Sequence, residues 1–111
     1  MEEFLLLIHG NVLNDPSTEA LKIHMEAYHK WMMELSENGQ YIKGQRLADG
    51  GILIDKKAVI VEGPYIEAKE IIGGYVLIKA NNIKEAAEIA KQCPLSNHLP
   101  ISVRAMHEIK Q

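Results

Sequence analysis

Cysteine, aromatic residues and long apolar runs are all scarce in this sequence of 111 residues. Cys93 is the only cysteine, which excludes an intrachain disulfide and is typical of a protein of the reducing cytoplasm. No neighbouring cation is placed to lower the pKa of its thiol. We therefore interpret Cys93 as a packing residue.

The sequence also lacks a strong excess of positive charge and any run long enough to span a membrane. The formal net charge is -3 and the basic residues are scattered, which argues against nucleic acid and anionic membranes as partners. No stretch approaches the roughly 20 apolar residues that a bilayer requires. Acidic Glu2 and Glu3 stand where an export signal would be basic. With 47% hydrophobic and 24% charged residues, we expect a single soluble, cytoplasmic domain over residues 1–111.

Recognisable catalytic and metal-binding motifs are absent as well. The sequence has no Cys-x-x-Cys pair, no Gly-x-Ser-x-Gly elbow, no Walker loop and no dinucleotide-binding fingerprint. His24 and His29 are five residues apart, so they lie on different faces of a helix, whereas a helical zinc pair is four apart. The remaining histidines are dispersed. We predict neither a metal nor a cofactor.

The apolar pattern predicts a series of strands, a hairpin and two helices. Asp15 and Pro16 are typical of a helix start, and Gly39 suits the left-handed position after its end. Asn82 and Glu85 form a capping-box pair at the start of the second helix. In chain order we predict a strand over residues 4–9, a helix over 16–38, a strand over 40–46, a hairpin over 52–54 and 58–61, a strand over 74–80, a helix over 82–92 and a strand over 101–109.

The first helix is amphipathic. At 100° per residue, one face carries apolar and aromatic residues together with a histidine, and the other side carries charges. The apolar face consists of Leu21, His24, Tyr28, Trp31, Met32 and Leu35. We therefore expect this helix to pack on a sheet through the face that holds His24.

This order of elements is that of an α+β protein with a ferredoxin-like split β-α-β fold and an inserted hairpin. Helices that cover one face of such a sheet leave the other face bare. The strands at residues 58–61 and 74–80 are apolar on both faces, so the bare face needs a cover.

Residues 62–75 closely resemble the signature of the DGPF family, which belongs to the YCII-related group. The family's Asp-Gly-Pro-Phe corresponds to Glu62-Gly63-Pro64-Tyr65, its Glu-x-Lys-Glu to Glu67-Ala68-Lys69-Glu70, and its Gly-Gly-Tyr to Gly73-Gly74-Tyr75. Val103-Arg104 is similar to the family's final strand. The chain departs from the family pattern at two positions. Ser102 stands where the family usually has an acidic residue, and Glu62 stands where the signature has aspartate. The resemblance implies the dimeric α/β-barrel type of fold, in which two sheets pair face to face and cover the bare face. We therefore expect a homodimer with twofold symmetry.

His24 is the first candidate for chemistry. An imidazole on an apolar helix face is either a core histidine that donates to a backbone carbonyl or a general acid/base in a cleft. The resemblance implies the second role, because the YCII-related group is associated with a helix histidine paired with an aspartate that follows it. We favour His24 over His29, which lies off the apolar face. Asp49 is the favoured partner and Asp55 the alternative, although turn formation also explains Asp49.

Candidates for ligand binding lie in the signature, the last strand and the aromatic residues. Lys69 and Arg104 are candidates to receive an acidic group, for which arginine has a suitable bidentate geometry. Tyr28 and Tyr65 are candidates to wall an aromatic cavity, together with Trp31, Tyr41 and Tyr75. The structural alternative is a Gly-Pro turn followed by a solvated, charged loop, with Trp31 in the core.

Two functions follow from these candidates. The first is a small-molecule enzyme. By resemblance, its reaction would be lyase- or elimination-type proton transfer on a small phenolic or acidic molecule, with His24 as acid/base and Asp49 orienting it. The second is a non-catalytic ligand- or partner-binding module with a regulatory role, since DGPF-type domains resemble components found alongside sigma-factor-like regulators. An enclosed, partly polar cavity beside His24 would favour the enzyme, and a filled core would favour the module.

Overall fold

The structure is a computed structural model, and it describes residues 1–10, 18–48, 50–62 and 72–107. Asp15 and Pro16, the predicted start of the first helix, lie outside these residues. The predicted order of elements is confirmed. Along the chain these are strand β1 (Glu2–His9), helix α1 (Thr18–Glu37), strands β2 (Tyr41–Arg46), β3 (Ile52–Asp55), β4 (Ala58–Glu62) and β5 (Ile72–Ala80), helix α2 (Ile83–Gln92), a short 3₁₀ helix (Pro94–Asn97) and strand β6 (Ile101–Ala105).

Four strands form one antiparallel sheet in the order β2-β5-β1-β6. β1 is central, because its Phe4 pairs with Ile78 of β5 and with Ala105 of β6. Helix α1 connects β1 to β2, and helix α2 connects β5 to β6. This is the predicted ferredoxin-like split β-α-β arrangement. Strands β3 and β4 form the predicted inserted hairpin as a separate two-stranded sheet.

One face of the four-stranded sheet carries the core. Along β1, every second side chain is buried, beginning at Phe4, and the residues between them point to the other face. Full burial of one large apolar side chain stabilises the fold by roughly 1.5–3 kcal/mol, so this layer holds both helices against the sheet. It consists of Phe4, Leu6, Ile8, Trp31, Leu35, Val76, Ile78, Ala80, Ala86, Ile89, Ala90 and Cys93.

A glycine ends helix α1 as predicted. Gly39 has a φ of +71°, which is the left-handed conformation that glycine adopts without strain. Its N–H donates to the Ser36 carbonyl at 3.1 Å, and the Gln40 N–H donates to the Leu35 carbonyl at 2.9 Å. These two bonds define a Schellman motif, and they direct the chain back along the sheet as β2.

The predicted cap at the start of α2 is present in part. Asn82 Oδ1 accepts a hydrogen bond from the Glu85 N–H at 2.9 Å. The Glu85 carboxylate does not return the bond to Asn82. It accepts from the Asn81 N–H at 3.3 Å and from Gln40 Nε2 at 3.1 Å. Glu85 therefore joins the start of α2 to the turn that follows α1.

The last strand is shorter than predicted. β6 ends at Ala105, and residues 106 and 107 are irregular. Because Phe4 pairs with Ala105, β1 has few residues left to pair with a longer β6. The Met106 N–H still donates to the Glu3 carbonyl at 3.1 Å. Residues 108 and 109 of the predicted strand lie outside the described residues.

The β3–β4 hairpin exposes apolar side chains, among them Ile52, Ile54 and Val59 at 60%, 63% and 57%. Its two turn residues, Lys56 and Lys57, have φ of +52° and +68°. Positive φ at both positions is the type I′ geometry that matches the twist of paired strands. Across the part of the chain that the structure describes, neither long helix has the length and apolar composition needed to cross a membrane.

Candidate active site

A cavity of about 240 Å³ lies between α1 and the core-side face of the sheet. Helix α1 forms one wall, the ends of β1, β2 and β5 form the floor, and the segment after α2 forms a further side. The side chains that matter for its chemistry and shape are His24, Tyr28, Tyr41, Arg46, Leu95 and Leu99. The cavity is partly open to solvent and partly polar, and the core beside His24 is not filled.

Several glycines line this cavity. Gly10, Gly44 and Gly74 are all part of its lining. A Cβ added at Gly10 would lie 2.8 Å from Leu99 Cδ2, and one at Gly74 would lie 3.0 Å from the Gln45 carbonyl oxygen. Side chains at these positions would require their neighbours to move, so the close packing beside the cavity requires glycine there.

Helix α1 brings His24 and Tyr28 to the cavity together. They are four residues apart, which stacks their side chains on one helix face. Both are half-buried and both line the cavity. His29, the rival histidine, is exposed and does not line it. The structure thus places His24 where the helical periodicity requires.

The Tyr28 hydroxyl holds its proton strongly. Burial raises its pKa to about 12, and the neighbouring Cys93 and Tyr41, which become negative when they ionise, add to the effect. At neutral pH the Tyr28 hydroxyl is therefore a hydrogen-bond donor toward a ligand oxygen.

Cys93 is buried behind this site, at 1% exposure. Desolvation raises the pKa of its thiol to about 11, and hydrogen bonds from the Leu95 and Ser96 backbone lower it by less. A thiol with a raised pKa is a poor nucleophile at neutral pH. Cys93 is thus a packing residue, as we predicted.

Arg46 brings a positive charge to the cavity, and the sequence did not point to it. Tyr41 pairs with Ile78 and Lys43 pairs with Leu77, so Ile42 is an extra residue in β2. In a regular strand, residues five apart point to opposite faces. The bulge at Ile42 puts Tyr41 and Arg46 on the same, cavity-facing side, and no residue pattern in the strand announces it.

His98 is the second residue that sequence reasoning missed. Its ring contacts the His24 ring, with centroids 4.8 Å apart and an angle of 85° between the planes, which is an edge-to-face arrangement. His98 follows the 3₁₀ helix, and its N–H donates to the Leu95 carbonyl at 3.0 Å. His98 is exposed, whereas His24 is half-buried. Because the two residues are distant in the chain, only the fold brings them together.

The structure does not bring Arg104 together with His24. Arg104 pairs with Leu5, whose side chain points away from the core, and directly paired residues share a face. Tyr75 pairs with Leu7 on the same side. We call this side the open face, and its central residues are Leu5, Leu7, Tyr75 and Leu77. On it, His9 Nε2 and Ser102 Oγ share a hydrogen bond of 2.6 Å.

The remaining predicted site residues lie either outside the described residues or elsewhere in the fold. Asp49, Tyr65 and Lys69 lie outside the described residues. Asp55, the alternative partner of His24, is exposed at the end of β3 in the hairpin. Trp31 lies in the core, where its indole N–H donates to the Ile89 carbonyl at 3.1 Å.

The chain belongs to the YCII-related domain family, which matches residues 4–110 and confirms the resemblance in the signature. Among curated proteins no match by sequence was found. In structure, the chain is similar to 5-chloro-2-hydroxyhydroquinone dehydrochlorinase (TftG) from Burkholderia phenoliruptrix AC1100, solved as a complex with 2,5-dihydroxybenzoquinone. The TM-score is 0.59 at 14% identity, over 95% of this chain and 93% of that chain. This likeness shows a shared fold, the ferredoxin-like type of the dimeric α/β barrels.

Proposed function

We propose that this protein is an enzyme that carries out acid/base chemistry of the lyase or elimination type on a small phenolic or acidic molecule. The reaction would take place in the cavity between α1 and the sheet, with His24 as the acid/base. The observation that carries the proposal is a half-buried imidazole in the wall of a partly polar cavity, next to two tyrosines. Enzymes place titratable groups in such pockets.

The size of the cavity supports a substrate with a single ring. A dry cavity of roughly 150 Å³ is enough to hold benzene. The present cavity of about 240 Å³ leaves space for a few substituents on such a ring. Arg46 offers charge to an anionic substituent, and Tyr28 offers a neutral donor to a ring oxygen.

The structural neighbour supports the same class of substrate. Its name describes a dehydrochlorinase acting on a hydroxyhydroquinone, and its bound ligand is a dihydroxybenzoquinone. Both molecules are single rings that carry oxygen substituents.

The proposed reaction needs one base and one leaving group. His24 takes a proton from the substrate, the electron pair of the broken bond forms the new double bond, and the leaving group departs with its own bonding pair. Asp49 is proposed to accept the other ring N–H of His24 and so to fix the tautomer. Arg46 and Tyr28 stabilise negative charge on the substrate oxygens as it forms.

A substrate screen with matched histidine variants tests this proposal. Purified protein is incubated with halogenated hydroquinones and related phenols, and release of halide is measured. His24→Gln should abolish turnover, while His29→Gln on the exposed side of the same helix should leave it unchanged. Asp49→Asn should lower turnover, with Asp55→Asn as its control. Equal turnover in His24→Gln and His29→Gln contradicts the proposal, and binding without turnover favours the non-catalytic ligand-binding alternative.

We also propose that two copies of the chain pair through their open faces. Support comes from the apolar centre of that face, which carries Leu5, Leu7 and Leu77 on the side of the sheet opposite the helices. Leu7→Lys should convert a dimer to a monomer in light scattering. Met33→Lys, on the exposed side of α1, is the matched control. A wild-type monomer would refute the proposal. A cytoplasmic location stays a prediction that rests on the lone Cys93.

A further inference from the structure

We propose that Tyr41 determines which rings the cavity accepts. Together with Tyr28 it forms a site of two phenol hydroxyls for one ring oxygen, at the opposite end of the cavity from Arg46. The cavity therefore selects a ring that carries oxygen substituents at two opposite ends. This inference rests on the proposed function, since it concerns how the same cavity holds its ring substrate.

The register of the sheet orders the floor of the cavity. Arg46, the last residue of β2, pairs with Gly74 near the start of β5. Gly44 pairs with Val76, two residues further along β5. At the usual rise of a strand, this step is about 7 Å. Gly44 therefore lies nearer the middle of the sheet than Arg46 does.

The Tyr41 hydroxyl lies beside Gly44. A Cβ added at Gly44 would be 3.2 Å from the Tyr41 hydroxyl oxygen and 3.5 Å from Val76 Cγ2 in the core. The absence of a side chain at Gly44 thus leaves the space that this hydroxyl occupies. Because Tyr41 and Gly44 both line the cavity, the hydroxyl is held on the floor, inward of Arg46.

Tyr28 of the helix wall lies near the same point. Burial is the largest cause of its raised pKa, and the charges that Cys93 and Tyr41 carry when ionised add to it. An electrostatic effect of Tyr41 on Tyr28 requires the two phenol groups to be close together. Both line the cavity, so two hydroxyl donors share its inner end.

His24 lies at the other end of the cavity, with Arg46. Its ring contacts the ring of His98, and the side chain of the next residue, Leu99, lies against Gly10. Gly10 directly follows β1, at the same end of the sheet where Arg46 ends β2. The outer end of the cavity therefore has an imidazole and a guanidinium, whereas its inner end has two hydroxyls.

This division defines the ligand that fits. A phenol or carbonyl oxygen can accept two hydrogen bonds, as the two tyrosines offer. A guanidinium pairs with a carboxylate or another anionic oxygen. The step of about 7 Å from Gly44 to Arg46 is comparable to the span between substituents at opposite ends of a six-membered ring. A ring whose oxygens are closer together reaches only one end of the cavity.

Calorimetry with three probes tests this selection without requiring turnover. The probes are 4-hydroxybenzoate, its isomer 3-hydroxybenzoate, and benzoate, which lacks the hydroxyl. The wild type should bind 4-hydroxybenzoate about tenfold more tightly than the other two. Tyr41→Phe should lower the affinity for 4-hydroxybenzoate by about three- to tenfold and leave benzoate unchanged. Tyr75→Phe, on the open face, is the matched control and should bind all three probes as the wild type does.

Three results overturn the inference. They are equal affinity of the wild type for the two hydroxybenzoates, no binding of 4-hydroxybenzoate, and a Tyr41→Phe that weakens benzoate as much as 4-hydroxybenzoate. The last would show that Tyr41 only supports the shape of the cavity. None of them bears on His24, whose role is decided by halide release. In contrast, selective binding without turnover contradicts the proposed function, while the selection by Tyr41 stands as a property of binding.

Discussion

Replacing Trp31 with phenylalanine should destabilise the fold by about 2–4 kcal/mol. The Trp31 side chain is 5% exposed, and its indole N–H donates to the Ile89 carbonyl at 3.1 Å. Phenylalanine keeps an aromatic ring in the core but removes the donor and part of the volume. A buried carbonyl that loses its partner costs about 1–3 kcal/mol, and a void of methyl size or more adds about 1 kcal/mol.

The cost is high because of where the Ile89 carbonyl lies. It belongs to the last turn of α2, where carbonyls lack helical partners. The Cys93 N–H, which would be its regular donor, instead donates to the Ala90 carbonyl at 3.1 Å. Trp31 therefore caps the end of α2 from a different helix, and phenylalanine offers no replacement.

Urea unfolding followed by circular dichroism measures the effect, because Trp31 is the only tryptophan and fluorescence is lost with it. Ser96→Ala is the matched control, since the Ser96 hydroxyl donates to the Lys91 carbonyl at 3.0 Å in an exposed setting. We expect it to change stability by less than about 0.5 kcal/mol. A benzothienylalanine at position 31, which has sulfur in place of the N–H, separates the hydrogen bond from the volume. A loss below about 1 kcal/mol in Trp31→Phe would refute the capping argument.

Three further outcomes are expected. Gly10→Ala should cost about 2–4 kcal/mol, because φ is +101° and the new Cβ would meet Leu99. Gly39→Ala should cost about 1–2 kcal/mol, because φ is +71° and the new Cβ would have no neighbour within 4 Å. Equal losses in thermal unfolding would show that the contact with Leu99 is unimportant. Burial raises the pKa of Cys93 from 9.0 to about 11, so its contribution to stability is fully present below pH 9 and falls by about 2 kcal/mol as the pH rises to 11. Cys93→Ala should therefore flatten the dependence of unfolding free energy on pH between 9 and 11. An unchanged slope in this variant contradicts the assignment. Lys57→Gly should raise stability by about 0.5 kcal/mol in urea unfolding, because glycine relieves the positive φ of the hairpin turn, and a loss would show that the turn is not type I′.

Local patterns predicted those parts of the fold that local physics controls. Gly39 ended α1 and Asn82 began α2 because each supplies a hydrogen bond or a backbone conformation that a helix end requires. The apolar face of α1 was readable because helical periodicity alone decides which side chains share a face. The same periodicity separated His24 from the exposed His29.

The site was less accessible to sequence reasoning, because its parts meet through the sheet register. Arg46 reaches the cavity only through the bulge at Ile42, which reverses the alternation of β2. His98 reaches His24 only because the turn after α2 packs against α1. Arg104 was grouped with the ligand-binding residues because its guanidinium suits an acidic group, yet its pairing with Leu5 puts it on the open face.

The two faces of the sheet separate the two proposed roles of the chain. Residues Ile8 and His9 are neighbours in β1, but Ile8 lines the cavity while His9 bonds Ser102 on the open face. Pairing of two open faces would therefore leave each cavity on the outer, helix side of its own protomer. On this reasoning Leu7→Lys should disrupt a dimer without altering the side chains around His24, so a monomeric variant should keep its turnover. If turnover is lost with the dimer while the fold persists, the partner subunit must complete the site.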